Sequence, residues 1–225
     1  MNDLLNSQAF GIMLTLFFYV AANYVYKKTK ITLLNPLMIS SILLIGYIKI
    51  FYVNTEDFLT DLSGINVFLG PLIICLAIPI AKNRELIKKN LLPIIVGSFV
   101  GAITTVIVVI VLGNALGMDE VIIASVIPKS TTTPIAIEIS NKLGGIRAIT
   151  VAVVIISAVI GTIIIPFLTK IFKVTDPLLI GMTLGSTSHA VGTSKAMEMD
   201  PTAGAIAGVA LVVSGLATVI ITMFL

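Results

Sequence analysis

Apolar segments alternate with short polar loops along the whole chain, near residues 4–26, 31–53, 64–81, 91–114, 119–140, 147–169, 177–197 and 202–225. Each is close to the roughly 20 apolar residues that a helix needs to cross a bilayer core. The pattern predicts an all-α, polytopic helical membrane protein of about eight hydrophobic segments, filling 1–225 as a single transmembrane domain. The loops alternate in charge. Lys27, Lys28 and Lys30 follow the first segment, and Glu56, Asp57 and Asp61 the second. Lys82, Arg84, Lys88 and Lys89 follow the third, Asp119 and Glu120 precede the fifth, and Lys142 and Arg147 follow it. Lys195 closes the seventh. Basic loops favour the cytoplasm, and this arrangement puts ten of the fourteen Lys and Arg residues there. Both termini then lie outside if every segment crosses. Lys170 and Lys173 break the rule, which leaves room for a later segment that re-enters instead of spanning.

Two apolar segments are interrupted by polar residues. In Pro128-Lys129-Ser130-Thr131-Thr132-Thr133-Pro134 the two prolines each remove a backbone donor and crowd the preceding turn. Two half-helices joined by an extended polar hinge are expected, with Pro134 opening the second and Thr132 or Thr133 as its N-cap. A half-helix N-terminus offers free N–H groups and a positive dipole end to a carboxylate. Lys129 adds an intramembrane charge, which is costly and therefore a functional candidate. The bland alternative is a lysine reaching for the interface and threonines that satisfy their own helix. The second break is Gly185-Ser186-Thr187-Ser188-His189-Ala190-Val191-Gly192-Thr193-Ser194-Lys195. It holds the single histidine of the chain, whose ordinary pKa near 6.5 suits proton handling. Glu138, four residues after Pro134, suits either an i,i+4 salt bridge to Lys142 or proton coupling.

Composition narrows the function. The chain is 57% hydrophobic and 11% charged over 225 residues, too apolar for a soluble fold and too charge-poor for disorder. One cysteine, Cys75, and one histidine leave no disulfide framework and no metal cluster. There is no GxSxG elbow, P-loop or GxGxxG, so no enzyme and no cofactor is expected, and no nucleic-acid partner. An intramembrane enzyme would need a hydroxyl such as Ser188 to meet a base across the bundle. Energy for transport would come from an H+ or Na+ gradient.

Smaller features are structural. Tyr19, Tyr24, Tyr26, Tyr47 and Tyr52 cluster near segment ends as interface anchors. Gly97/Gly101 and Gly204/Gly208 have the spacing of close helix packing. Asn35-Pro36 suits a bend more than a binding site. Asp200-Pro201 opens the last helix. A faint repeat relates halves 1–117 and 118–225, with interruptions near 70–79 and 181–196. Such matched interruptions point to a transporter's binding site, and the pattern fits inverted or parallel repeats.

The stretches PKSTTTPIAIEIS-NKLGGIRAIT (128–150) and LGSTSHAVGTSKAMEMD…GAIAGVAL (184–211) resemble the signatures of the LrgB/CidB/YohK family. The likeness continues through NP (35–36), LGP…LAIP (69–79) and LLP…GS…G (91–101), and so covers essentially the whole chain. Ser130-Thr131 stands where Ser-Val is usual, and Leu72 and Ile73 where Ala-Thr is frequent. The resemblance implies a bacterial inner (plasma) membrane protein, antiholin-like and linked to murein hydrolase control and cell lysis. It also implies kinship with carriers of pyruvate, glycolate or glycerate, some of which work with a small LrgA/CidA-type membrane partner.

The leading expectation is a secondary transporter of small monocarboxylates that binds the organic anion between two discontinuous helices. The alternative is a holin/antiholin-like regulator of murein hydrolase activity and lysis, acting by oligomerisation; a homo-oligomer fits either. The candidate substrate-binding set is Lys129, Ser130, Thr131, Thr132, Thr133, Ser186, Ser188, His189, Gly192 and Thr193. Proton or ion coupling is assigned to His189 and Glu138.

Overall fold

Among the described residues, four helices are long and apolar enough to cross a bilayer: Ala9–Thr29, Leu91–Ala115, Arg147–Ile171 and Pro201–Thr222. The computed structural model describes residues 8–29, 36–51, 78 and 80–225. It divides the chain into two units, Met1–Ile74 and Cys75–Leu225. Among the described residues every regular element is helical.

In the first unit, α1 (Gln8–Thr29) packs on α2 (Pro36–Ile50). Phe10 meets Tyr47 with ring centroids 6.3 Å apart. Lys28 lies over the ring of Tyr24 at 5.1 Å, as expected where an aromatic belt meets basic flanks. Tyr52, the 64–81 segment up to residue 77 and the interruption near 70–79 lie almost wholly outside the described residues.

The second unit contains α3 (Arg84–Lys89), α4 (Leu91–Ala115) and α5 (Glu120–Val126). A 3-10 turn, Ile127–Ser130, leads to α6 (Thr133–Lys142), and α7 (Arg147–Ile171), α8 (Pro177–Met199) and α9 (Pro201–Thr222) complete it. Both polar interruptions break their helices. The chain is extended at Thr131 (φ −122°, ψ 174°) and at Thr132 (φ −65°, ψ 147°), which stands at the N-cap of α6. His189 breaks α8 with φ 46° and ψ −131°.

Neither broken segment continues across. The Ile146 amide donates to Ser125 Oγ at 2.7 Å, although 21 residues of continuous helix would separate them by about 30 Å. Thr150 Oγ1 donates to Ser140 Oγ at 2.7 Å. α5 and α6 therefore fold back on each other as a hairpin with its tip at 128–132. In α8, a Cβ placed on Gly192 would overlap the carbonyl oxygen of Leu184, a residue about 12 Å away in an unbroken helix. The arm before His189 runs parallel to α9, with Gly181 against Ala203 and Gly185 against Ala207. The arm after it returns antiparallel, with Gly204 against Met197. α8 is a second hairpin, with His189 at its tip.

α7 sets the register of the two. Thr150 bonds the base of the first hairpin, and Ser157 Oγ donates to the Lys129 carbonyl at its tip at 3.1 Å. A Cβ on Gly161 would collide with Ser188 at the second tip. Ile165 packs with Ile180, Leu184 and Ala196 toward the second base. The hairpins thus enter from opposite ends of α7 and meet halfway along it. α9 repeats this order, from Ala203 beside Gly181 to Gly215 beside Ile135, where an added Cβ would lie 3.5 Å from Ile135 Cδ1. So does α4, from Gly97 at Met182 to Gly113 at Ile123.

This geometry corrects the expected distribution of charge. Because the fifth segment re-enters, Lys142 and Arg147 share an end with Asp119 and Glu120, and not with Lys82–Lys89. Lys170 and Lys173, the two exceptions to the alternation, fall at the same end as Lys82, Arg84, Lys88, Lys89 and Lys195. The positive-inside rule then puts the base of the second hairpin in the cytoplasm.

Of the glycine pairs, Gly97, Gly204 and Gly208 approach neighbouring side chains closely, whereas Gly101 has open space. Asp200 caps α9 as expected, accepting from the Thr202 and Ala203 amides at 2.7 and 3.0 Å. Asp176-Pro177 opens α8 in the same way, with Leu178 donating to Asp176 at 2.8 Å. The buried Ser125 and Ser140 clamp the first hairpin to α7. Replacing Ser125 by Ala removes the partner of the Ile146 N–H, and about 0.5–1.5 kcal/mol of stability should be lost, readable as a lowered Tm in detergent.

Candidate functional site

The two tips are joined by one hydrogen bond. His189 Nε2 lies 3.0 Å from the Lys129 carbonyl oxygen. A carbonyl only accepts, so Nε2 carries the proton and Nδ1 presents a lone pair. Nδ1 has no bond to any described residue. The histidine backbone pairs φ 46° with ψ −131°, a positive-φ region outside the left-handed helical well that residues other than glycine seldom adopt. Such local strain persists where the surroundings over-determine it, and it clusters at working sites.

Lys129 is half-buried beside this bond. Its Nζ lies 3.5 Å from Ser130 Oγ, and among the described residues no carboxylate pairs with it. It lines a crevice of about 380 Å³ with Ser157, Gly161 and Thr187, walled by Val153, Ile156, Ile160 and Ile164. An ammonium with no counter-ion halfway along a bilayer-length helix costs several kcal/mol unless a ligand or water compensates it.

The other candidate residues divide into two groups. Ser188 is buried at the second tip, 3.4 Å from Thr187 Oγ1. Three others satisfy backbone carbonyls of their own segment: Thr131 bonds Pro128 at 3.0 Å, Ser186 bonds Met182 at 2.7 Å and Thr193 bonds His189 at 2.9 Å. Thr132 caps α6 by position without a side-chain bond, and Thr133 begins that helix. Gly192 lets the second hairpin close. Glu138 is not at the tips; it is exposed and lines a separate groove with Lys142 and Val219. The expected Glu138–Lys142 salt bridge does not form among the described ion pairs. Among the described residues no hydrogen bond joins Ser188 Oγ to the imidazole, whose Nε2 bonds the Lys129 carbonyl. No three His, Cys, Asp or Glu side chains gather to hold a metal among the described residues.

Sequence reasoning missed Ser157, Gly161 and Ser214. Ser214 Oγ reaches the Ser186 carbonyl at 3.5 Å. Their signal is faint: Ser157 and Gly161 are the only departures from an apolar run between Thr150 and Thr162.

A family model for the LrgB-like family matches residues 15–225. The chain belongs to this family. Antiholin-like protein LrgB of Bacillus cereus (strain B4264) is 36% identical over 213 residues, spanning 94% of this chain and 93% of the relative. The antiholin-like protein LrgB of Bacillus anthracis (strain CDC 684 / NRRL 3495) matches with the same figures. An uncharacterized protein of Bacillus subtilis (strain 168), YxaC, is 37% identical over 83% of this chain and 81% of its own length. No solved structure matches. Membership bears out the resemblance read in 128–150 and 184–211, and with the apolar helices it makes this a membrane protein. Of the two functions expected, the relatives' names favour the antiholin-like one, and they carry no transported solute.

Proposed function

We propose that this chain is a secondary carrier of small monocarboxylates of the pyruvate, glycolate and glycerate class, in the cytoplasmic (inner) membrane. The single observation behind this reading is Lys129, an intramembrane cation without a described counter-ion, at the point where two opposed hairpin tips meet. Transporter sites form near the midplane from discontinuous helices, where unwound backbone and half-helix ends face the solute. A carboxylate would compensate Lys129, with the free amides at the start of α6 and the hydroxyl of Thr187 or Ser188 as further donors. His189 Nδ1 offers a proton-accepting position for H+ coupling, and carbonyls at the breaks suit Na+ equally. Parting of the tips would break the His189–Lys129 bond and open the crevice to one side.

A second reading rests on the name borne by the Bacillus cereus and Bacillus anthracis relatives: an antiholin-like regulator of lysis acting by oligomerisation. Uptake into proteoliposomes distinguishes the two. With labelled pyruvate, glycolate and glycerate, and an imposed pH or sodium gradient, the carrier reading expects saturable, gradient-dependent uptake, from the chain alone or with a small LrgA/CidA-type partner. Leakage of unrelated solutes without saturable uptake would favour the regulator.

A further inference from the structure

α4, α6 and α7 end in the same hydrogen-bonding pattern. The residue after the helix cap adopts a left-handed conformation, and the next amide reaches back five residues: Met118 to Gly113 at 2.9 Å, Gly145 to Ser140 at 2.8 Å and Val174 to Thr169 at 2.8 Å. In two of the three the left-handed residue is glycine, Gly117 (φ 66°) and Gly144 (φ 78°). In the third it is Lys173 (φ 52°). Glycine is the residue such a helix end prefers, because a Cβ there is strained. The lysine therefore stands in a conformation that works against it. One cation in the last turn would already answer the helix dipole, and Lys170 supplies it.

Lys173 lines a crevice of about 520 Å³ at the base of the second hairpin, with Lys170, Thr175, Pro177, Ile180 and Met199. The two acids nearby are engaged by helix N-termini. Asp200, in the crevice wall, accepts the Thr202 and Ala203 amides, and Asp176 accepts the Leu178 amide. Neither lysine has an ion pair among the described residues. The crevice thus holds two lysines without an ion pair among the described residues and a hydroxyl over an apolar floor, with the Asp200 carboxylate in its wall already taking two amide hydrogen bonds. It opens at the end of a bilayer-length helix whose last turns expose Phe167 and Ile171, with Phe172 beyond them.

We infer that Lys170 and Lys173 bind a phosphate group, and that it is the headgroup phosphate of an anionic phospholipid whose acyl chains lie along Phe167 and Ile171. The two cations face the charged layer of the leaflet, the hydroxyl of Thr175 gives a further donor, and the apolar floor takes the glycerol and the first methylenes. Basic pockets between spanning helices on the cytoplasmic side suit such headgroups. This site lies at the opposite end of the hairpin from His189 and does not depend on the carrier reading.

The test uses the full chain purified in detergent, with phosphatidylglycerol or zwitterionic phosphatidylcholine added and retained lipid counted by native mass spectrometry. Phosphatidylglycerol should be retained over phosphatidylcholine. Its affinity should fall roughly fivefold per lysine removed, in Lys170→Gln, Lys173→Gln and the double variant. Lys142→Gln, at the other end, should leave it unchanged. Lys173→Gly separates binding from folding. Relief of the left-handed strain should raise the lipid-free Tm by about 2–4 °C, while the further rise given by phosphatidylglycerol shrinks. Retention unchanged in the double variant, or equal retention of the two lipids, would overturn the site. A thermal rise with inorganic phosphate and none with phosphatidylglycerol would move the phosphate to a soluble ligand and overturn the lipid assignment.

Discussion

Gly192→Val is expected to unfold the second hairpin. A Cβ at this position overlaps the carbonyl oxygen of Leu184 and lies 2.6 Å from Ser188 Cβ. The obstacle is backbone, in an arm held on its other side by the seam of Gly181 and Gly185 against Ala203 and Ala207. Neither arm can retreat without opening that seam. Overpacking of this kind costs typically 1–3 kcal/mol where side chains can adjust, and more where they cannot. A loss of about 3 kcal/mol corresponds to a fall in Tm of roughly 6–12 °C in a chain of this size. Gly101→Ala is the matched comparison, because no atom lies within 4 Å of its added Cβ. There Tm should hold or rise, since alanine is the better helix former by up to about 1 kcal/mol. Equal Tm values for the two variants would mean that α8 does not fold back at His189.

Lys129→Gln should leave the fold intact and remove transport. The side chain makes no described ion pair, and its one polar contact, Ser130 Oγ at 3.5 Å, is long. Its carbonyl, which receives His189 and Ser157, survives the substitution. What disappears is the charge available to an anion. A hydrogen bond to a charged partner contributes about 1.5–3 kcal/mol, so apparent affinity should weaken roughly 10- to 150-fold. His189→Gly is the informative companion. It relieves the positive-φ strain, but it also deletes the bond between the tips and the packing of a buried imidazole, which act the other way. Tm should fall by no more than a few degrees while uptake is lost. Transport surviving both variants would remove the tips from the solute's path.

The breaks themselves were legible in the sequence. Two prolines six residues apart and a histidine among hydroxyls and glycines cannot sit quietly in a membrane helix, and both interruptions are where those residues are. That the chain reverses at them was not legible. Residues 120–142 number enough to cross a bilayer as a helix, and hydropathy is the same for a segment that continues and one that returns. The deciding contacts are the hydrogen bond from Ile146 to Ser125, 21 residues apart, and the close approach of Gly192 to Leu184, and hydropathy records neither. Lys170 and Lys173 carried the only trace of the reversal, as cations on the wrong side of an alternation that assumed every segment crosses. The tips' partners on α7 were hidden for another reason. Ser157 and Gly161 are single small residues in an apolar helix, and only the approach of two hairpins gives them meaning. Glu138 shows the converse: spacing along one helix offered it Lys142 as a partner, and the structure leaves it exposed, without an ion pair among the described residues, in a groove away from the tips.

Side-specific labelling of single cysteines most directly tests the opposed hairpins, in a chain whose Cys75 is replaced by serine. Glu120→Cys and Asn141→Cys mark the two ends of the first hairpin, and Thr175→Cys and Met199→Cys those of the second; Arg84→Cys serves as the cytoplasmic reference. The account predicts that positions 120 and 141 label together from outside, and positions 84, 175 and 199 together from the cytoplasm. Labelling of 120 and 141 from opposite faces would make the fifth segment a simple span and contradict it.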